Sequence, residues 1–598
     1  MTETKKKVWI FTFEYAGVAK VGGLGEVPAN QAKHLSNYFD ITAFMPSHGQ
    51  IQKLKERYPW IKLEYSCSGL INASYFSNKY SESFYQISYY QFEIGNVKVV
   101  VLAGDNEFTS RFIDDRTVYN PDTIMGKICL FSIGIRSLVK FFLENESHLI
   151  PELVHMHDYH VVMSFISMKQ ILTQNGLEIP AIITIHLLTY PRYEFFFYTL
   201  CGIDNNPIKV VLSKGPQSLR IDEIFHLAQY PEEGIPTVER IGAIVSDLVT
   251  TVSESYLKSD IIPNCGKELI EFKTDFIWDG CDWEYDDIFR EVTKNHQIEL
   301  MNYFNTQISH NFTREELKKF LLEYKIGNLV QSPLISSQRV LDAINEISNG
   351  NPFIKNGNIK AFSEAGPLVL TTGRISPQKG FETIFEAIPD IVERIPNVKF
   401  LFLILPTDYS LNEIKSYSKY VKEFPNNIRI IFGVASDIFY LGHICADVYC
   451  ALSRWEPFGI MALEAMASKI PIIATKVGGL QETIIDLRYY SDIGTGILID
   501  KNNPKHFANA LISLLKALEV FEKVKLTPDH TIFNPELLMI INQIPDEVIK
   551  SNVLLNSNYY KKIQENCYRR VKKNFTWKKV SQKLSDLYFK VIHGNRSV

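Results

Sequence analysis

Short apolar runs recur along this chain, and they are apolar at nearly every position instead of at every second one. In the first half they are Val8–Phe13, Ile41–Met45, Val97–Ala103, Leu153–Met156, Ala181–Ile185 and Leu248–Val252. In the second half they are Leu368–Leu370, Phe400–Leu405, Ile428–Phe432, Val448–Leu452, Pro471–Ala474 and Gly496–Ile499. Alternation would mark a strand with one wet face. A continuous run marks a strand covered on both faces, as in a parallel sheet between helix layers. The stretches between runs are long enough for helices, and strands alternating with helices make an α/β fold. Two such sets predict two domains, placed over residues 1–283 and 284–574, with a C-terminal helix over 575–598.

A chain of 598 residues has ample core for both. Its net charge of −4 gives no reason to expect nucleic acid or a membrane surface as partner. The eight cysteines are scattered with no C-x-x-C pair, which fits a reduced compartment without disulfides or structural zinc. No h-region or long apolar stretch appears, so the expected location is cytoplasmic. Asp275 to Asp282 is the expected passage between domains. Residues 284–360 read as polar and helix-rich, with a loop over 349–360, and residues 524–558 read as an irregular embellishment.

Chemistry concentrates where strands end. Asp447 to Glu464 opens with an apolar run, breaks at Ser453-Arg454-Trp455, and restarts with Pro457 predicted at the first helical position. The backbone N–H groups of Phe458, Gly459 and Ile460 would then lack helical partners, and Gly459 would let another group approach closely. That is an anion cradle at a strand's C-terminal end, with Glu456 and Glu464 beside it. Lys20-Val-Gly-Gly-Leu-Gly25 places Lys20, Gly22 and Gly23 at the first strand-to-helix turn, where backbone can approach a phosphate or sugar. Gly373-Arg374 to Lys379-Gly380 sets two cations at the ends of another such turn, able to grip a diphosphate from two sides. His155, His157 and His160 are close in sequence, but no carboxylate or cysteine set completes a shell, so no metal is expected.

These motifs resemble those of retaining glycosyltransferases of the GT-B architecture, and within them the glycogen and starch synthase family. Glu456-x7-Glu464 in Arg-Trp-Glu-Pro-Phe-Gly resembles the family's paired glutamates, and Lys20-x-Gly-Gly-Leu its N-terminal hallmark. Gly373-Arg374-x4-Lys379-Gly380 is similar to the turn that holds the leaving diphosphate. Val154-His-Met-His-Asp158-Tyr-His resembles H-x-H-D-W-H, with Tyr159 in place of Trp, and its Asp faces the active site. Thr184-Ile-His186 resembles T-V-H-N, with Leu187 in place of Asn, and its His contacts the donor sugar. Thr250 to Tyr256, Asp279 to Asp282, Val477 to Glu482 and Phe575 to Trp577 match further segments; Asp279 replaces an Asn there. By resemblance, Gly478 and Gly479 lie on the nucleotide side, Glu456 beside the glucosyl unit and Glu464 near the ribose hydroxyls.

The resemblance implies two Rossmann-like domains facing across a deep cleft, with the C-terminal helix packing back toward the first. It implies transfer of glucose from ADP- or UDP-glucose to the non-reducing end of an α-1,4-glucan, with retention. Retaining enzymes of this architecture work without a protein nucleophile or an obligatory metal. The expected catalytic residues are Glu456, His186, Asp158, Arg374 and Lys379. Donor-binding residues are Lys20, Gly22, Gly23, Phe458, Gly459, Ile460, Glu464, Gly478 and Gly479. Three rivals remain: a related hexosyltransferase with a sucrose-type or lipid-linked acceptor, a sugar-nucleotide epimerase, and a silent glucan-binding protein. Gly433 is followed by Val434 where bacterial glycogen synthases place an aromatic residue against adenine, which leaves UDP-glucose open.

Overall fold

A computed structural model describes residues 5–230, 234–307, 310–332, 335, 337–433, 435–526 and 534–594. The chain forms two compact units. Met1–Gly280 with Trp577–Val598 make the first, and Cys281–Thr576 the second.

The first unit contains β1 (Lys6–Phe11), β2 (Phe39–Pro46), β3 (Trp60–Asn72), β4 (Glu82–Ile94), β5 (Val97–Gly104), β6 (Leu153–His157), β7 (Ala181–Ile185), β8 (Ile208–Leu212), β9 (Gly215–Leu219), β10 (Leu248–Thr251) and β11 (Thr274–Phe276). Nine form one sheet in the order β11-β10-β7-β6-β1-β2-β5-β4-β3, and β8 pairs with β9 separately. Pairing is parallel from β11 to β5 and antiparallel at the β5-β4-β3 edge. The chain moves outward from β1 to β5 and returns to β6 on the other side of β1. The strand order therefore reverses between β1 and β6, the place where open α/β sheets leave a crevice at the strands' carboxyl ends. The helix Trp577–Ile592 belongs to this unit: Tyr588 Oη lies 2.7 Å from His155 Nδ1 on β6, and its ring packs 5.3 Å from that of Phe39.

The second unit has β12 (Ile354–Lys355), β13 (Leu368–Arg374), β14 (Lys399–Leu405), β15 (Ile428–Phe432), β16 (Val448–Ala451), β17 (Ile472–Thr475) and β18 (Gly496–Ile499). All are parallel, in the order β12-β15-β14-β13-β16-β17-β18. Here the order reverses between β13 and β16. Asp447, fully buried just before β16, accepts from Lys318 Nζ at 2.8 and 3.0 Å, from Arg314 Nη2 at 2.9 Å and from the Leu368 N–H at 2.7 Å. This network ties the helix Arg314–Glu323 to the base of both strands at the reversal.

Each of the twelve apolar runs overlaps a strand, and the two-sheet α/β fold is the one expected. Two expectations need correction. The stretch after residue 520 is not irregular where described, because helices Pro504–Leu526, Pro535–Asn542 and Glu547–Leu555 run through it. The loop over 349–360 contributes the edge strand β12, whose two residues are too few to give a pattern. Among the described residues no helix is long and apolar enough to cross a membrane.

Candidate active site

In each unit a polar cluster sits at the carboxyl ends of the strands that flank the reversal. In the second unit, β13 ends on Arg374 and turns through Ser376 to Gly380. Gly380 takes φ +60°, and a Cβ there would lie 2.3 Å from the Leu452 carbonyl oxygen, so the turn packs directly on the end of β16. Arg454 N–H donates to the Gln378 carbonyl at 2.7 Å, and Arg454 Nη1 to that of Pro377 at 2.9 Å. This contact brings Lys379 Nζ to 2.6 Å from Glu456 Oε2, which also accepts from Ser453 Oγ at 3.0 Å. Glu456 is buried and Lys379 half-buried. Arg374 is exposed, and its guanidinium has no hydrogen-bond or ion-pair partner among the described residues. It follows Gly373, whose missing Cβ would lie 3.7 Å from Lys379 Cε, so both cations flank one point of the turn.

The helix expected to begin at Pro457 begins at Ile460 instead, with Gly459 as its N-cap at φ +100°. The left-handed glycine adds a turn between Pro457 and the helix. A Cβ at 459 would come within 2.7 Å of Leu480. The amides of Phe458, Gly459 and Ile460 nonetheless make no hydrogen bond with the described residues. Gly478 and Gly479 have a packing duty. A Cβ at 478 would fall 1.9 Å from the Glu456 carbonyl oxygen, and one at 479 would fall 2.3 Å from Phe458 Cα. The N–H of Gly479 donates to that same Glu456 carbonyl at 3.1 Å. Two turns, 376–380 and 478–480, thus converge on the loop 456–458. Glu464 lies one turn into the helix, half-buried. Burial first, and then the charge of Glu464, push up the acids of Tyr449 and Cys281.

In the first unit the turn after β1 closes on Glu14, a buried residue the sequence reading did not single out. Its Oε2 accepts from the N–H groups of Val21 at 2.7 Å and Gly22 at 3.2 Å, and its Oε1 from Tyr119 Oη at 2.6 Å. Lys20 pairs with Glu26 at 2.6 Å on the surface, a contact worth little by itself. Gly22 and Gly23 lead into a short turn, Gly23–Gly25, ahead of the helix Glu26–Leu35.

Across the reversal, Asp158 follows β6 at φ +62°, uncommon for a non-glycine residue, and accepts the His186 N–H at 2.7 Å. His186 Nε2 lies 2.9 Å from His157 Nδ1. His155 spends both ring nitrogens internally, on Tyr588 Oη and on Thr184 Oγ1, each at 2.7 Å, and His160 stacks on Phe13 with centroids 5.1 Å apart. The three histidines of 155–160 therefore share no open face. Burial holds His155, His160 and His186 near 3 and His157 well below its ordinary value, so all four rings are neutral. A second unforeseen residue is Glu239, in the wholly buried helix Val238–Val245. Its Oε1 accepts from the N–H groups of Thr189 and Tyr190, both at 3.0 Å, while its Oε2 has no partner among the described residues. A lone carboxylate inside Val-Glu-Arg-Ile-Gly-Ala-Ile-Val was the available signal, since an acid in an apolar helix is costly without a task.

Burial pushes the Asp158 acid up to about 8 from its ordinary 3.8, with the nearby carboxylates of Glu239 and Glu14 adding to the rise. The folded chain therefore holds a proton that the unfolded chain has lost. This group costs stability increasingly from about pH 4 to about pH 8. Asp158→Asn keeps an oxygen for the His186 amide without the charge. It should raise Tm at pH 8 and leave it nearly unchanged at pH 4. A lower Tm than wild type at pH 8 would show that the carboxylate is stabilised where it sits.

The unit-two cluster offers two cations, three unpartnered amides and a carboxylate, which suits a dianionic group bearing a polar substituent. The unit-one cluster offers neutral imidazoles and carboxyl groups, which suit hydroxyls. Comparison with known proteins follows the same division. Residues 7–271 match the family model described as the starch synthase catalytic domain, and residues 353–524 match that of group 1 glycosyl transferases. The chain is similar to a probable glycogen synthase of Methanocaldococcus jannaschii, 36% identical over 121 residues, 20% of this chain and 22% of that one. A glycogen synthase of Streptococcus agalactiae is 24% identical over 543 residues, 86% of this chain and 92% of that one. In fold, the chain is similar to the catalytic domain of starch synthase IV from Arabidopsis thaliana, bound to ADP and acarbose. That match has a TM-score of 0.63 at 16% identity and covers 99% of this chain and 100% of that one.

Proposed function

We propose, from the premise that this chain belongs to the glycogen and starch synthase family of GT-B glycosyltransferases, that it moves glucose from a nucleoside diphosphate to the non-reducing end of an α-1,4-glucan, with retention of configuration. The observation that carries the reading is the Lys379–Glu456 pair at 2.6 Å, beside an unpartnered Arg374 and the free amides of 458–460. Departure of a diphosphate builds negative charge, and fixed cations and amides stabilise it without reorganising. The glucosyl unit becomes positive as the bond stretches, which favours the Glu456 carboxylate and backbone carbonyls near it. Asp158 and His186 on the first unit would hold the sugar hydroxyls, and Glu464 the ribose. Same-face attack by the glucan hydroxyl needs no protein nucleophile.

The test is transfer of labelled glucose from ADP-glucose and from UDP-glucose, each with glycogen. We expect incorporation into the glucan from at least one donor. Release of free glucose alone, or turnover only with a small sugar phosphate or lipid acceptor, would overturn the glucan assignment. Donor choice is decided by the same assay, because Val434, at the position that bears on it, lies outside the described residues. If Arg374, Lys379 and the amides do the neutralising, transfer should persist in EDTA. Loss in chelator with rescue by Mg²⁺ would move that duty to a cation.

A further inference from the structure

We propose that His157 is a positioning residue that holds His186 as its Nδ1–H tautomer, so that the ring presents a hydrogen-bond donor on its open side. The two rings meet through His157 Nδ1 and His186 Nε2, 2.9 Å apart. Both rings are neutral, so one nitrogen of this contact carries the proton and the other accepts it.

The choice follows from the far nitrogen of each ring. His157 Nε2 is sealed from solvent and has no partner among the described residues. Were His186 the donor, neutral His157 would have to carry its own proton on that sealed atom, leaving a buried N–H without an acceptor. Orphaned buried donors are the rarer defect. With His157 as donor, the sealed atom is a bare lone pair, and the proton of His186 goes to Nδ1. That atom has no partner among the described residues and is not sealed. The orientation of one ring is thereby set by the bond the other makes.

His155 lies against His157 with ring centroids 4.3 Å apart. His155 is itself fixed from both ends. Thr250 Oγ1 donates to the Ile183 carbonyl at 3.3 Å, and a carbonyl only accepts. Thr184 therefore donates to Thr250 at 2.7 Å and accepts from His155 Nε2–H, and Tyr588 donates to the bare Nδ1 of His155. A hydroxyl on the C-terminal helix thus braces the stack behind His186.

The consequence for transfer rests on the function proposed above, whereas the tautomer does not. An Nδ1–H on the open side suits an oxygen acceptor, such as a hydroxyl of the donor sugar. The test uses full-length protein with ¹⁵N-labelled histidine rings and long-range ¹H–¹⁵N correlation, the His186 signals being identified by their loss in His186→Gln. We expect a protonated Nδ1 and a bare Nε2 at His186 in the ligand-free protein. A protonated Nε2, or an averaged ring, overturns the proposal. His157→Leu should release His186 toward the Nε2–H form that free imidazole favours and lower kcat roughly tenfold, about what one hydrogen bond is worth. His157→Asn keeps an N–H near the same place and should retain the His186 tautomer that leucine loses. An unchanged His186 tautomer in folded His157→Leu also overturns it. Absence of transfer with any donor, together with the expected tautomer, would sink the proposed function and leave this inference standing.

Discussion

Arg374→Ala and Lys379→Ala should each lower turnover by a factor on the order of 10² or more, the range seen when one fixed donor to a developing negative charge is removed. The two variants should differ in stability. The Arg374 guanidinium has no partner among the described residues, so its loss should leave Tm unchanged. Lys379 neutralises Glu456, which is 9% exposed, so its loss strands a carboxylate and should lower Tm. Adding Glu456→Gln to Lys379→Ala should recover Tm without recovering turnover. Near wild-type transfer in both single variants, with circular dichroism unchanged, would remove the diphosphate clamp from the mechanism.

Asp447→Ala should destabilise the second unit by about 3–5 kcal/mol, the usual cost of breaking a buried ion network from one side. The carboxylate is 0% exposed and holds Lys318, Arg314 and the Leu368 amide together, so alanine strips Lys318 and that N–H of their acceptor and leaves Arg314 only the carbonyls of Ile444, Cys445 and Ala446. Burial works against its charge, but Lys318 and Arg314 outweigh burial and hold the acid below the ordinary carboxylate value. A depressed folded value means the contribution is fully present above the unfolded value near 3.8 and is lost as pH falls through the folded one. Wild type should therefore lose stability steeply below about pH 4, and Asp447→Ala should show a shallower acid limb. Denaturant unfolding at a series of pH values checks both. A midpoint within experimental error of wild type at pH 7 would mean that Lys318 finds another partner and that the carbonyls around Arg314 suffice for it.

Parallel strands announce themselves because both faces are buried, and this is why Val8–Phe13 or Phe400–Leu405 could be placed from residues alone. The β3–β4 hairpin could not. Its residues alternate with exposed ones along an edge, as in Trp60–Asn72, and Ser, Gln and Glu fill the wet face. The candidate site could be proposed where its residues lie close in sequence. Arg374 and Lys379, or Glu456 and Gly459, sit within one turn of each other. Glu14 and Tyr119 are 105 residues apart and meet only because the chain returns to β1 after β5. No local pattern records that meeting. The helix start at 460 was misplaced for a related reason. Proline marks a permitted first position, but the left-handed Gly459 packed under Leu480 decides the actual one.

The return of Trp577–Ile592 to the first unit has a consequence for how the protein is made. Synthesis runs from Met1 onward, so β1 to β11 leave the ribosome long before the helix that covers Phe39 and braces His155 exists. The second unit is contiguous and can mature as it emerges; the first lacks the helix that covers Phe39 and His155 until residues 577–592 have been made. Interrupted translation would then yield chains whose second half is native and whose first half is a substrate for chaperones or proteases. Synthesis of residues 577–592 becomes a quality checkpoint for the unit that carries Asp158 and His186.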